Sequence, residues 1–174
     1  MGVKELVFEN KRLQEGILLD KMKIRVGVTG LTRGAGATFT SESLEYYLNI
    51  RGKERFFVSR PDKYMVVDDP ACPADMDLMV MVIDPIPSAL KKGSARYAVL
   101  KELDVPKLWL VNRDNEGVDH REMERFLELK PDFFQQDVPY DVMCRAEYSL
   151  RIPQEIYRFE GLEALADRIL KEYM

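Results

Sequence analysis

A glycine-rich loop, GLTRGAGAT from Gly30 to Thr38, contains the residues of this sequence that are best suited to chemistry. It follows the apolar, β-branched segment Lys23–Thr29 and precedes a segment of helical periodicity, as a ligand loop after a buried parallel strand does. Gly30, Gly34 and Gly36 let the backbone wrap its N–H groups around phosphate oxygens, and the following helix adds the positive charge of its N-terminus. Thr38 stands where a hydroxyl would reach a magnesium ion bound to the phosphates. The sequence therefore predicts a phosphate-binding loop.

The loop departs at two positions from the general phosphate-loop pattern GxxxxGK[ST]. Gly36, Ala37 and Thr38 occupy the last three places, so an alanine stands where the lysine would reach the β and γ phosphates. Leu31 stands at the first glycine, and we expect Gly30, one residue earlier, to serve in its place. Loss of the lysine removes a fixed positive charge, so slow hydrolysis at best is expected.

Polar residues end three later apolar segments, where ligands usually bind in α/β proteins. Asp68 ends YMVVD, Asp84 ends LMVMVID, and Asn112 followed by Arg113 ends KLWLVN. Either aspartate could face a magnesium ion together with Thr38. The alternative for both aspartates is structural, since a carboxylate at a strand end can accept hydrogen bonds from turn N–H groups.

The length of one connection bears on which aspartate faces the loop. Only four residues, Arg60–Lys63, separate the apolar segments Arg55–Ser59 and Tyr64–Asp68. A crossover between parallel strands needs about a dozen residues, so these two segments are expected to be antiparallel. If Arg55–Ser59 runs parallel to the first strand, Asp68 falls at the far end of the sheet and Asp84 at the loop side. The connection length thus slightly favours Asp84 as the aspartate that faces a magnesium ion. The sequence MVVDDPA around Asp68 favours Asp68 instead.

The order of the remaining segments predicts the fold class. Strands alternating with helices are typical of a parallel sheet covered on both faces. We therefore predict a three-layer α/β domain of the P-loop NTPase type over residues 23–174, with room for an antiparallel strand, after an N-terminal arm of residues 1–22. The strands are expected at residues 23–29, 55–59, 64–68, 78–84 and 107–112, and the helices at 38–50, 87–103, 119–129 and 161–174.

Composition excludes several functional classes. A net charge of −4 provides no basic field for a nucleic-acid backbone, so no direct nucleic-acid binding is expected. No segment approaches the about 18 uninterrupted apolar residues of a membrane span, and the N-terminus lacks a signal peptide, so a cytoplasmic protein without membrane insertion is predicted. Cys72, Cys144 and His120 lie far apart in the sequence and form no metal-binding motif.

The segment VGVTGLTRGAGATFTSESLEYYL resembles the deviant phosphate loop and first helix of the ParA/MinD family of ATPases, whose motif reads KGGxGK[ST]. MVVDDPA around Asp68 resembles the acidic strand-end motif of that family. Asn112 matches an asparagine that faces the nucleotide base, and Pro139–Asp141 fits a late loop of the type PYD. The resemblance implies a nucleotide site formed by Asn112, Arg113 and Pro139 together with the loop.

The resemblance also has departures. The signature lysine of the family falls on Thr32, and the neighbouring Arg33 could partly replace it because a guanidinium binds phosphate. The ending GAT in place of GKT is similar to atypical loops in the pilus-localisation branch of the family. The segment that would carry the first switch region is missing.

The first functional hypothesis is a nucleotide-binding, or formerly nucleotide-binding, regulatory or localisation protein with little or no hydrolysis. The backbone of Gly34, Ala35, Gly36, Ala37 and Thr38 would hold the phosphates of ATP or GTP with Mg²⁺, and a protein partner or a second copy would receive the signal. The second hypothesis is an interaction module with a vestigial loop and no nucleotide. An active ATPase or kinase-like enzyme ranks last, because the sequence offers no constellation of nucleophile and base.

Overall fold

The computed structural model describes residues 23–51 and 63–173 of the chain. The arm of residues 1–22 and the strand predicted at 55–59 lie outside the described residues. Strands alternate with helices over much of the described chain, which ends in three consecutive α-helices. The strands are β1 (Ile24–Gly30), β2 (Tyr64–Asp68), β3 (Leu78–Ile83), β4 (Lys107–Asp114) and β5 (Phe133–Gln136). The α-helices are α1 (Ala37–Glu45), α2 (Pro87–Lys101), α3 (His120–Leu127), α4 (Tyr140–Ser149), α5 (Pro153–Ile156) and α6 (Glu160–Glu172). A π-helical segment, Tyr46–Arg51, continues α1, and a 3₁₀ turn, Pro73–Asp75, precedes β3.

The five described strands form one sheet in the order β2-β1-β3-β4-β5, and every described pair is parallel. The register places Val28 of β1 beside Asp68 of β2 and beside Val80 of β3. Because the strands are parallel, their carboxyl ends meet at one edge of the sheet, and the loop after β1 lies at that edge. The predicted parallel α/β class is confirmed.

The position at the far end of the sheet, expected for Asp68 if residues 55–59 run parallel to β1, is wrong. The expected antiparallel arrangement of residues 55–59 and β2 lies outside the described residues. β2 runs parallel to β1, and the N–H of Asp69 donates to the carbonyl oxygen of Val28 at 2.8 Å, so Asp68 lies at the loop side of the sheet. The connection from β1 to β2 is a crossover between parallel strands, and it is long enough for that because it contains α1. Asn49 fixes the start of β2, since its side-chain amide exchanges hydrogen bonds of 3.0 and 3.3 Å with the backbone of Tyr64.

The sheet is buried between two layers of helices. Alternate side chains of a strand point to opposite faces. Val80 and Val82 of β3 therefore join the core beneath α1 and α6, whereas Met79 and Met81 join the core beneath α2 and α3. All six residues of β3 are buried, as expected for the central strand of a doubly covered sheet. The three-layer architecture is thus confirmed.

β5 and α6 are joined by a side chain whose role the sequence did not reveal. Oε1 of the buried Gln135 accepts hydrogen bonds from the N–H groups of Gly161 and Leu162 at 3.0 and 3.2 Å. These amides open α6 and have no acceptor within the helix. A Cβ on Gly161 would lie 2.2 Å from the carbonyl oxygen of Phe134, so the glycine lets α6 approach the strand directly.

We predict that Gln135→Ala lowers the free energy of unfolding by about 1–3 kcal/mol, because two amides at the start of α6 lose their acceptor. Urea unfolding followed by circular dichroism measures the loss. The neighbouring Gln136 is exposed, so Gln136→Ala is the matched control and is expected to change stability by less than about 0.5 kcal/mol. Equal effects of the two substitutions would contradict the capping role of Gln135.

Candidate functional site

The loop between β1 and α1 has the curled shape expected of a phosphate-binding loop. Gly34 and Gly36 adopt positive φ angles of 85° and 96°, which L side chains rarely tolerate. The N–H of Leu31 donates to the carbonyl of Val82 on β3 at 3.0 Å and fixes the start of the loop to the sheet. The glycines, predicted to give the backbone its freedom, therefore occupy positions that require them.

The side chain of Asn112, on β4, supports this loop through a hydrogen bond. It is only 7% exposed, and its side-chain nitrogen donates to the carbonyl oxygen of Ala35 at 2.9 Å. A Cβ on Gly36 would lie 2.1 Å from that same nitrogen, so the glycine also makes room for the asparagine. Asn112, which the resemblance predicts to face a nucleotide base, is thus buried and bonded to the loop.

Thr38 at the start of α1 pairs with the carboxylate that ends β2. Its hydroxyl donates to Oδ2 of Asp68 at 2.8 Å, and the hydroxyl of Ser41 lies 3.4 Å from Oδ1 of the same carboxylate. A hydroxyl and a carboxylate are hard oxygen ligands of the kind that Mg²⁺ accepts together with water and phosphate. The structure thus brings together two of the three residues proposed from the sequence for a metal.

Asp84, the third of them, has other contacts. Its Oδ1 accepts a hydrogen bond from the N–H of Ile86 at 3.1 Å, and its Oδ2 lies 3.7 Å from Nη1 of Arg113. The first contact matches the structural alternative, in which the aspartate binds the amide of the following turn. The slight preference for Asp84 over Asp68 is therefore reversed by the geometry, because Asp68 contacts Thr38 directly and faces the loop.

Arg113 departs from regular strand geometry at the end of β4. Its φ angle is 59°, and the pairing with β5 shifts register between Val111 and Asp114. Left-handed conformations cost about 1–2 kcal/mol in residues other than glycine, and such strain tends to occur at functional sites. The irregularity places the Arg113 side chain along the cleft beside the loop.

A second cluster beside the loop was not predicted from the sequence. The hydroxyl of Thr29 donates to Oδ1 of Asp69 at 2.7 Å, and Nη2 of Arg96 donates to both the Thr29 hydroxyl and Asp69 at 2.7 and 2.8 Å. Asp69 has a positive φ of 43°, which aspartate tolerates better than most residues. The hydrogen bond from Thr29 has the largest effect and lowers the pKa of the Asp69 carboxyl; burial opposes this shift, and the charge and the hydrogen bond of Arg96 add to it. Asp69 is thus held as a carboxylate.

Arg96 reaches this cluster because α2 packs closely on the loop. A Cβ on Gly93, one turn earlier in the helix, would lie 3.0 Å from the carbonyl oxygen of Leu31 and 3.1 Å from the side chain of Thr32. The only signal in the sequence was a glycine followed three residues later by an arginine. That signal does not distinguish a ligand-facing arginine from a solvated one.

These groups line one open cleft of about 700 Å³, a size typical of small-molecule sites. Its lining consists of residues 30 and 32–38 of the loop together with Asp68, Asp69, Arg96 and Arg113. Arg33 of the loop is the third arginine in the lining. Pro139 is not part of it, since it is an exposed residue that precedes α4. Positive charge therefore remains at the site although the loop has no lysine.

A parallel sheet with a glycine loop between its first strand and first helix is consistent with a P-loop NTPase-like fold. Solved structures agree. A ParA family ATPase from Chlorobium tepidum TLS superimposes with a TM-score of 0.58 at 12% identity, over 85% of this chain and 98% of the other. The MinD cell division protein of Aquifex aeolicus superimposes with a TM-score of 0.61 at 13% identity, over 87% of this chain and 99% of the other. The chain therefore has a ParA/MinD-like fold.

No protein-family model and no curated protein sequence matches the chain. The likeness to ParA and MinD is thus carried by structure. Within residues 23–51 and 63–173, no helix combines the length and the apolar character needed to cross a bilayer.

We predict that Gly36→Ala destabilises the protein by about 3 kcal/mol, because the new Cβ combines backbone strain with displacement of Asn112 from its bond to Ala35. Gly34→Ala is the matched control. Gly34 also has a positive φ, but a Cβ there meets no described atom within 4 Å, so only the strain of about 1 kcal/mol is expected. Urea unfolding of both variants checks the difference, and a Gly34→Ala loss as large as that of Gly36→Ala would contradict the support assigned to Asn112.

Proposed function

We propose that this chain is a cytoplasmic, nucleotide-binding regulatory protein that binds ATP or GTP with Mg²⁺, hydrolyses it slowly or not at all, and acts through a protein partner or a second copy. The observation that carries this proposal is the form of the loop. It keeps an open, glycine-dependent curve beside the Thr38–Asp68 pair although Ala37 stands in place of the lysine.

Phosphate binding is supported by the backbone of the loop and by the charge around it. The N–H groups of Ala37 and Thr38 open α1, and amides of a first helical turn have no acceptor within the helix. The α1 N-terminus adds about half an elementary positive charge. Arg33 and Arg113 line the same cleft, and guanidinium groups form strong, often bidentate bonds with phosphate. Gly34, Ala35 and Gly36 would form the rest of the curve around a bound phosphate.

Magnesium binding is supported by the chemistry of the Thr38–Asp68 pair. Mg²⁺ is usually held by one or two protein oxygens together with phosphate and water. The hydroxyl and the carboxylate are 2.8 Å apart, so a small shift would let both face one ion at the foot of the loop. Thr38 and Asp68 would hold the ion, whose positive charge would offset part of the charge of the phosphates and so assist binding whether or not hydrolysis follows.

Slow hydrolysis follows from the alanine. Phosphoryl transfer is catalysed mainly by fixed positive charge placed where negative charge develops. Ala37 supplies none, and the described arginines of the cleft are partly exposed. A protein that binds nucleotide without efficient turnover can still regulate, because a ligand that prefers one conformation increases the population of that conformation and so changes the apparent affinity of the protein for a partner.

We predict that Mg-ATP and Mg-GTP both raise the melting temperature, by about 5–10 °C at a concentration 100 times the Kd. The two shifts are expected to be similar, because Asn112 is occupied by the loop and is not free to distinguish the bases. Differential scanning fluorimetry of the full chain measures both shifts.

Thr38→Val is the control for the magnesium site, since it keeps the shape of the side chain and removes the hydroxyl. It should abolish the difference between nucleotide with Mg²⁺ and nucleotide with a chelator. If no nucleotide shifts the melting temperature of the wild-type chain, the loop is vestigial and the proposal is wrong.

We predict that Ala37→Lys strengthens Mg-ATP binding about tenfold and raises the hydrolysis rate, because it restores the charge at the phosphates. Ala37→Met adds similar length without charge and is the matched control. Isothermal titration calorimetry and phosphate release measure the two effects. An unchanged affinity in Ala37→Lys, or an equal gain in Ala37→Met, would show that charge at this position does not limit binding.

A further inference from the structure

The cleft contains a guanidinium that comes from α2 and not from the loop. Arg96 lines the cleft with its side chain 49% exposed, and Gly93 brings its helix against the loop at Leu31 and Thr32. Nη2 of Arg96 is fixed by the Thr29 hydroxyl at the end of β1. The end of β1 is also where the phosphate loop begins, so the guanidinium is held at the mouth of that loop.

Two arginines of the cleft have described carboxylate partners, and these partners differ in their exposure to water. Arg113 lies beside Asp84, whose side chain is only 11% exposed and also accepts the Ile86 amide. Arg96 pairs with Asp69, which also accepts the Thr29 hydroxyl but whose side chain is 65% exposed. An ion pair in contact with water contributes little to stability, so its carboxylate is easily exchanged for another anion. Asp69 is therefore the more accessible of the two carboxylates for such an exchange.

A phosphate would be a stronger partner for Arg96 than Asp69 is. It offers several oxygens to the planar fork of the guanidinium and carries more charge than a carboxylate. The Thr29 hydroxyl keeps Nη2 in position during an exchange, because its contact does not depend on Asp69 keeping the arginine. The Thr29 hydroxyl thus orients the Arg96 guanidinium, and the Asp69 carboxylate neutralises its charge.

We propose that Arg96 is a phosphate-binding residue of this cleft, which takes the place of the missing lysine and exchanges Asp69 for a ligand phosphate. This inference rests on the proposed function. It adds a residue from outside the loop and a competitor, Asp69, whose removal should strengthen binding. The ligand class is a nucleotide polyphosphate recognised mainly through its phosphates.

A double-mutant cycle tests the exchange. Isothermal titration of the full chain with Mg-ATP, and separately with tripolyphosphate, is carried out on the wild type, Arg96→Ala, Asp69→Asn and the double variant. Arg96→Ala is expected to weaken both ligands about 10- to 100-fold, the effect of losing a charge-assisted hydrogen bond. Asp69→Asn, which keeps a residue tolerant of positive φ, is expected to strengthen both ligands about 2- to 5-fold in the wild-type background. It should have no effect in the Arg96→Ala background.

Two further variants control for stability and for unspecific charge. Lys92→Ala removes a positive charge one turn earlier on the exposed face of α2 and should leave both affinities within about twofold. Arg96→Lys keeps the charge without the fork, and an intermediate affinity is expected should Arg96→Ala fail to fold.

The outcomes separate this inference from the proposed function. If the wild type binds but Arg96→Ala binds equally well, the role of Arg96 is wrong and the proposed function stands. If Asp69→Asn strengthens binding equally in both backgrounds, Asp69 acts by repulsion of the ligand and the exchange is refuted. If the wild type binds neither ligand, both proposals fail.

Discussion

The buried hydrogen bond from Asn112 to the carbonyl of Ala35 is the contact on which the shape of the site depends. It joins β4 to the loop that follows β1, across the intervening strand β3. A buried carbonyl without a partner would cost about 1–3 kcal/mol, so the loop gains its curved form by accepting this bond. The same amide leaves room only for glycine at position 36. The conformation of the loop is therefore set by its neighbour in the sheet as much as by its own glycines.

This constraint explains how the loop can keep its shape without the lysine. In the general phosphate-loop pattern the lysine contacts the ligand. In this chain the shape of the loop backbone depends on the Ala35 carbonyl, which accepts the Asn112 hydrogen bond, and on Gly34 and Gly36. Substitution by Ala37 removes charge and leaves the backbone contacts intact. The positive charge of the cleft comes instead from Arg33, Arg96 and Arg113, which belong to three different elements. Charge supplied in this way depends on tertiary packing and is invisible to a motif.

The sequence predicted the fold well because its main features are local. The β1 segment, the loop, α1 and the buried β3 follow from periodicity and glycine spacing. Asp119, where the helix predicted at 119–129 begins, caps α3 by accepting the Glu122 amide. The side of the sheet on which Asp68 lies was missed because that expectation depended on residues 55–59 running parallel to β1. β5 has only four residues, two of them glutamines, and its stability comes from packing beneath α6. Arg96 and the support given by Asn112 could not be predicted, since both depend on contacts between distant parts of the chain.

Asp68 and Asp69 show how one strand serves two helices. Asp68, the last residue of β2, accepts the Thr38 hydroxyl of α1, while Asp69, the next residue, turns to the opposite side and accepts the Arg96 guanidinium of α2. The positive φ of Asp69 is the local condition for this divergence, because a residue in extended conformation would continue the strand. The two carboxylates thus hold the polar groups of both helix layers on either side of the loop. A phosphate that enters the cleft meets Asp68 and Asp69, which already accept hydrogen bonds from their donors. The phosphate has to replace some of these bonds, so its net affinity is the difference in free energy between the new contacts and the old ones.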